Sequence, residues 1–412
     1  MHHFEQRNGT LFVEGVSITD LAETYGTPLY VYSTATLKRH FEAFDSAFAS
    51  MEHLTCYSVK ANSNLHVLRL LASLGAGMDI VSGGELYRAL LAGVPAEKIV
   101  YSGVGKKPEE IRQALSSGIL MFNVESMQEL IRINDVAREM AKVAKVSFRI
   151  NPDVDPKTHP YISTGLKKNK FGLNIDLSLE AYALARDLPN VEAVGIDCHI
   201  GSQLTSIDPF LEALDKLLLF YDKLKAMNLD IRYLDLGGGL GINYDEEQPP
   251  HPKEFGAALT KALGKLPLKL ILEPGRVIVG NAGVLVTEVL YTKQSPNKSF
   301  VIVDAAMNDL VRPSLYGSFH RVEEVTPQGR PILDVDVVGP ICESGDFLAK
   351  DRQLPEVQQG ERLAVYSAGA YGFTMSSNYN TRPRAAEILV DGEQVIVARR
   401  RETYESLVAQ EL

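Results

Sequence analysis

Lys60 closes an apolar, strand-like run, LTCYSVK, where an amine could face a pocket instead of open water. A lysine so placed can condense with an aldehyde to form an imine; its plainer alternative is a solvated residue at a strand end. Two segments far downstream bear on that choice. Residues 237–241 read GGGLG, and glycines let backbone N–H groups approach an oxyanion with no side chain between them. EPGR, residues 273–276, ends another apolar run, LKLILE, and Arg276 can add a charged fork to a phosphate site. A buried Glu273 needs a positive partner, either a neighbouring arginine such as Arg276 or a cationic ligand. Opposite a protonated pyridine nitrogen, that carboxylate would keep the ring charged and make it an electron sink. Amine, phosphate cradle and pyridinium partner together describe a pyridoxal phosphate site.

Such residues need a scaffold that gathers them. Short β-rich runs alternate with helical patterns through the first two-thirds of the chain: LTCYSVK, GMDIVS, KIVYSG, LMFNVES, KVSFRIN, VEAVGIDCHIGS, IRYLDLGGG and LKLILEPG. Eight such units predict a (β/α)8 barrel. An open doubly wound sheet is the alternative, but no G-x-G-x-x-G follows the first strand. Barrel active sites lie at the C-terminal ends of the strands, and the polar residues collect there: Lys60, Asp79, Ser102, Asn123, Glu125, Arg149, Asn151, His199, Ser202, Gly237, Glu273 and Arg276. The loops after strands seven and eight are the usual phosphate site, which is where GGGLG and EPGR fall. Asp79 has a second reading, as a cap for the helix GGELYRALL.

Beyond the barrel, residues 281–412 read as strands with little helix between them, a separate all-β domain. Residues 1–34 hold a short strand, a helix capped near Thr19 and another strand, which can join that β domain; the barrel then spans residues 35–280. A chain of 412 residues is expected to form about two domains. Its formal net charge of -10 argues against a nucleic-acid partner. Apolar runs fall short of a membrane span and the N-terminus lacks the pattern of a signal peptide, so the expected location is the cytoplasm. Three cysteines without C-x-x-C spacing suggest neither a disulfide framework nor a metal site. Cys56 and Cys198 fall inside apolar strands and read as core, whereas Cys342 lies among Glu343, Ser344 and Asp346.

In order along the chain, CYSVKAN, HIGSQ, DLGGGLG, EPGR, RPSLYGSFH, GPICESGD and GAYGFTMSSNYNTRP resemble segments of the diaminopimelate decarboxylases, a family of the alanine racemase-like, fold type III pyridoxal phosphate enzymes. The resemblance runs from about Phe12 to the C-terminus, with no departure at the positions carried over. It implies a barrel paired with a β domain partly built from the N-terminal segment, and decarboxylation of meso-diaminopimelate to lysine, the last step of bacterial lysine synthesis. It implies that Lys60 holds the cofactor as an imine, that His199 stacks on the ring, and that Asp79 supports the ring side. Ser202, Gly238, Gly239, Gly275, Arg276 and Tyr371 would contact the phosphate, and Glu273 the ring nitrogen. A free thiol is largely protonated at neutral pH, so Cys342 can return a proton to the α-carbon after CO2 leaves. The family's C-E-S-G-D loop reaches the partner subunit's site, which implies a homodimer.

Diaminopimelate carries an amine and a carboxylate at its far end. The resemblance assigns the distal ammonium to Glu343 and the distal carboxylate to Arg276, Arg312 and Tyr316, with Tyr371 at the substrate as well. Ornithine and arginine have no distal carboxylate, so Arg312 points toward diaminopimelate; the plain alternative for Arg312 is a surface salt bridge. The rivals are a decarboxylase of ornithine, arginine or carboxynorspermidine on the same fold, an amino-acid racemase, or a cofactor-binding protein without turnover. Glu273 speaks against the racemase, whose ring nitrogen faces an arginine. The segment from His159 to Gly172 reads as a lid over the barrel mouth or a passive excursion.

Overall fold

The computed structural model describes residues 2–155, 170–296 and 298–412. The chain divides into two compact units. One comprises Met1–His40, Asn243–Glu247 and Ile278–Leu412; the other comprises Phe41–Ile242 and Gln248–Val277.

The second unit is a closed, all-parallel barrel of eight strands: His53–Ser58, Gly77–Ile80, Ile99–Tyr101, Met121–Val124, Ala144–Arg149, Val191–Asp197, Tyr233–Asp235 and Lys269–Leu272. Lys269–Leu272 pairs with His53–Ser58 and closes the ring. These strands are short, apolar and mostly buried on both faces, as parallel strands covered by helices must be. Cys56, Val100, Leu120, Met121, Val194 and Ile271 pack as one buried cluster, so Cys56 is a core residue. Where strands turn into helices, side-chain oxygens of Asn64, Ser82, Ser126 and Asn174 accept the first free N–H groups. Ser82, not Asp79, therefore caps the helix Gly83–Leu91. After the eighth strand the helix is a single turn, Arg276–Val279.

The first unit is built on a large sheet. Its order is Phe347–Pro355, Ile332–Val338, Ser299–Val303, Gly283–Gln294, Leu29–Ser33, Ala386–Asp391 and Gln394–Arg399, with Arg362–Val365 also pairing Gly283–Gln294 and, on its other side, Val322–Glu324. The N-terminal strand Leu29–Ser33 is wholly buried, antiparallel to Gly283–Gln294 and parallel to Ala386–Asp391. Tyr30 fixes it further by donating its hydroxyl to the Asp309 carbonyl at 2.6 Å. Before it come a three-stranded sheet, Phe4–Arg7, Thr10–Val13 and Val16–Ser17, and the helix Ile18–Tyr25, capped by Ser17. Among the described residues, no helix is long and apolar enough to cross a membrane.

Candidate active site

Lys60 lies just past its strand, in the single 3-10 turn Val59–Ala61, because barrel pairing stops at Ser58. Its Nζ reaches Oδ2 of Asp79 at 2.6 Å, and Asp79 is fully buried while the lysine side chain is 38% exposed. The same Oδ2 accepts the Ser58 hydroxyl at 2.8 Å. Asp79 Oδ1 is buried with no hydrogen-bond partner. A buried carboxylate thus holds the amine at the C-terminal end of the barrel, where the sequence reading puts it.

His199 stands two residues beyond its strand. Its Nδ1 accepts the Gly238 N–H at 3.2 Å, which leaves the ring proton on Nε2. Burial, with the positive charges of Arg149 and Lys60, holds its pKa well below the usual histidine range, so the ring is a neutral plate. Arg149 pairs with Glu125 at 3.1 Å and donates to the His199 carbonyl at 3.3 Å.

The glycine loop is shaped by close backbone approach. A Cβ on Gly238 would come within 2.1 Å of the Glu273 carbonyl oxygen, and one on Gly239, at φ +115°, within 2.5 Å of the Gly201 carbonyl oxygen. No acceptor for the N–H groups of Gly239 and Gly275 occurs among the described residues. Arg276 is buried, and its Nη2 donates to the Ser202 hydroxyl at 3.0 Å. Ser202, Gly239, Gly275 and Arg276 make a donor set suited to a phosphate. The donors between a lysine amine and a buried carboxylate fit pyridoxal phosphate.

Glu273 is not the ion-pair partner of Arg276 that its sequence neighbourhood offered as one reading. Ser102 Oγ and Asn123 Nδ2 each donate to its Oε1 at 3.3 Å. Carboxylate oxygens of Glu273, Asp197 and Asp235 lie within 4.8 Å of one another, all buried. Burial and the neighbouring carboxylates Asp235, Asp79 and Asp197 push the Glu273 carboxyl well above the usual range. Such a group becomes anionic readily only when a cation faces it. Asp197 and Asp235 are the residues that sequence reasoning missed. Each is the last residue of its strand, whereas the sequence runs VEAVGIDCHIGS and IRYLDLGGG continue past them.

Arg312, Tyr316, Cys342, Glu343 and Tyr371 all belong to the β-sheet unit. Arg312 is buried rather than a surface ion-pair residue, donates to His320 at 3.3 Å and Ser318 at 3.2 Å, and lies against the rings of Tyr244 and Tyr316. Cys342 is exposed, unlike Cys56 and Cys198, and its N–H donates to Asn380 at 2.9 Å. Asp346 accepts the N–H groups of Ile341 and Met307 at 2.7 Å, and Ser314 donates to the Gly345 carbonyl. The Cys342 loop and the Arg312 helix are therefore fixed to each other. Glu343 is exposed beside Tyr379, and Tyr371 holds a left-handed backbone, φ +55°. The proposed lid from His159 lies outside the described residues up to position 169.

Residues 34–280 match the family described as pyridoxal-dependent decarboxylase, pyridoxal binding domain. The chain is 54% identical over 407 residues to a diaminopimelate decarboxylase of Aquifex aeolicus, covering 98% of this chain and 96% of that protein. It is 55% identical over 411 residues to one from Pseudomonas aeruginosa, covering 100% and 99%. A crystal structure of the Helicobacter pylori diaminopimelate decarboxylase complexed with L-lysine superposes with a TM-score of 0.93 at 45% identity, covering 95% of this chain and 98% of that one.

Proposed function

Because the chain belongs to the diaminopimelate decarboxylase family of pyridoxal phosphate-dependent carboxy-lyases, we propose that it removes CO2 from meso-2,6-diaminopimelate and yields L-lysine, closing bacterial lysine synthesis in the cytoplasm. The bound cofactor supplies an aldehyde for amines and a protonated ring that draws electrons from the bond to the leaving carboxylate. Lys60 offers the amine, and Asp79 fixes it. Neutral His199 would lie against the cofactor ring without adding charge to it, and Glu273 would hold the ring-nitrogen proton. Ser202, Gly239, Gly275, Arg276 and Tyr371 would bind the phosphate, and Gly238, whose N–H goes to His199, would shape the loop that holds it.

Recognition of the substrate's far end falls to Arg312, Tyr316 and Arg276 for the carboxylate and to Glu343 for the ammonium, with Tyr371 at the substrate as well. The guanidinium of Arg312, oriented by His320 and Ser318, is set for such a contact. Cys342 supplies the proton for the α-carbon, reaching the site of a partner subunit in a homodimer. The observation that carries the reading is the Lys60–Asp79 pair at the strand ends of a barrel that also presents Glu273 and the Ser202–Arg276 donors. Borohydride reduction of the purified enzyme followed by peptide mapping tests it. The cofactor mass is expected on the peptide containing Lys60; its attachment to another lysine, or to none, contradicts the reading.

A further inference from the structure

Asp197 and Asp235 have no task in the reaction as described, yet they are buried in the centre of the barrel against Glu273. Asp235 touches both halves of the cofactor cradle. Its Oδ1 accepts the Gly237 N–H at 2.9 Å, at the start of the glycine loop. Its Oδ2 accepts Asn123 Nδ2 at 3.2 Å, and that same amide nitrogen donates to Glu273 Oε1. Asp197 keeps an Oδ1 that is buried without a hydrogen-bond partner.

Three carboxylates this close in a poorly solvated interior do not all ionise. The nearest cations have carboxylate partners of their own: Arg149 pairs with Glu125, and Lys60 with Asp79. The other titratable groups facing the trio include Cys56 on the first strand, Asp79 on the second, Cys198 and Tyr182, none of which brings positive charge. Burial raises the Asp235 carboxyl to about 6, and burial with the charge of Asp235 raises Asp197 well above the usual range. Protons therefore stay within the group near neutral pH.

We propose that Asp235 is a positioning residue with two tasks: it fixes the glycine loop through Gly237, and together with Asp197 it keeps Glu273 protonated until a ring nitrogen faces it. The proton of Glu273 would then pass to that nitrogen, leaving a carboxylate paired with the pyridinium so formed. This rests on the reading that Glu273 faces that nitrogen. An ionised Glu273 in the empty site would attract water and stray cations; a protonated one keeps the floor of the site neutral.

The test is infrared difference spectroscopy of the full-length apoenzyme with and without added pyridoxal phosphate, with binding followed by visible absorbance in the same sample. The carbonyl stretch of a protonated carboxyl should be present in the wild-type apoenzyme and lose intensity on binding. Glu273→Gln should show no such loss. Asp197→Asn, which leaves the contacts of Asp235 to Gly237 and Asn123 intact, should show a smaller loss than wild type, because Glu273 then ionises before the cofactor arrives. Asp235→Asn should also bind the cofactor about tenfold more weakly. An equal loss in Asp197→Asn and wild type, with none in Glu273→Gln, overturns the role of the trio alone. An unchanged loss in Glu273→Gln overturns the placement of Glu273 itself.

Discussion

Cys342 shows how a single residue's surroundings decide between chemistry and packing. Its cysteine neighbours in sequence reading, Cys56 and Cys198, are buried in the barrel, and desolvation raises both thiols. Cys342 is exposed on a loop pinned by Asp346 and Asn380. Replacing it with alanine should leave the cofactor absorbance intact and lower turnover about 10²- to 10⁴-fold, the usual worth of a positioned proton donor. Turnover at the wild-type rate would remove the thiol from the reaction. Lys60 and Glu273 were legible because a charged residue ending an apolar run is conspicuous. Asp197 and Asp235 were not, although they too end such runs. Inter-strand hydrogen bonds, not composition, end these short strands at Asp197 and Asp235, inside the longer runs that the sequence suggests.

At the scale of elements, alternation made the eight barrel units readable, since each strand is a short buried run followed by a capped amphipathic helix. Phe347–Pro355 was overlooked as a strand. Among the described residues it is an edge strand pairing only with Ile332–Val338, and its Lys350, Asp351 and Arg352 break the apolar pattern in the way exposed edges usually do. Leu29–Ser33 was recognised as a strand, but its seat between Gly283–Gln294 and Ala386–Asp391 comes from pairing across more than 250 residues of chain, which local patterns do not encode. GGGLG was read as an oxyanion cradle, and the geometry adds a tighter constraint. A Gly238→Ala methyl would meet the Glu273 carbonyl at 2.1 Å, so the loop and the eighth strand end must separate. Cofactor affinity in that variant should fall at least about tenfold, roughly 1.4 kcal/mol, as read by titrating the apoenzyme with pyridoxal phosphate. Unchanged affinity would show that the loop takes no part in holding the phosphate.

For the molecule as a whole, the barrel unit carries Lys60, the glycine-loop donors and the buried carboxylates, and the β-sheet unit carries Cys342 and the buried Arg312. The chain divides after His40 and before Ile278, and Asn243–Glu247, after the seventh strand, groups with the β-sheet unit. The formal net charge of -10 suits an enzyme of small metabolites better than a nucleic-acid binder. The roles proposed for Arg312 and Glu343 require a substrate that carries a carboxylate and an ammonium at its far end. The direct measurement is to offer meso-diaminopimelate, ornithine, arginine and carboxynorspermidine separately to the purified holoenzyme and identify the CO2 and amine products. CO2 and lysine from diaminopimelate alone are expected; release from ornithine but not from diaminopimelate would contradict the account.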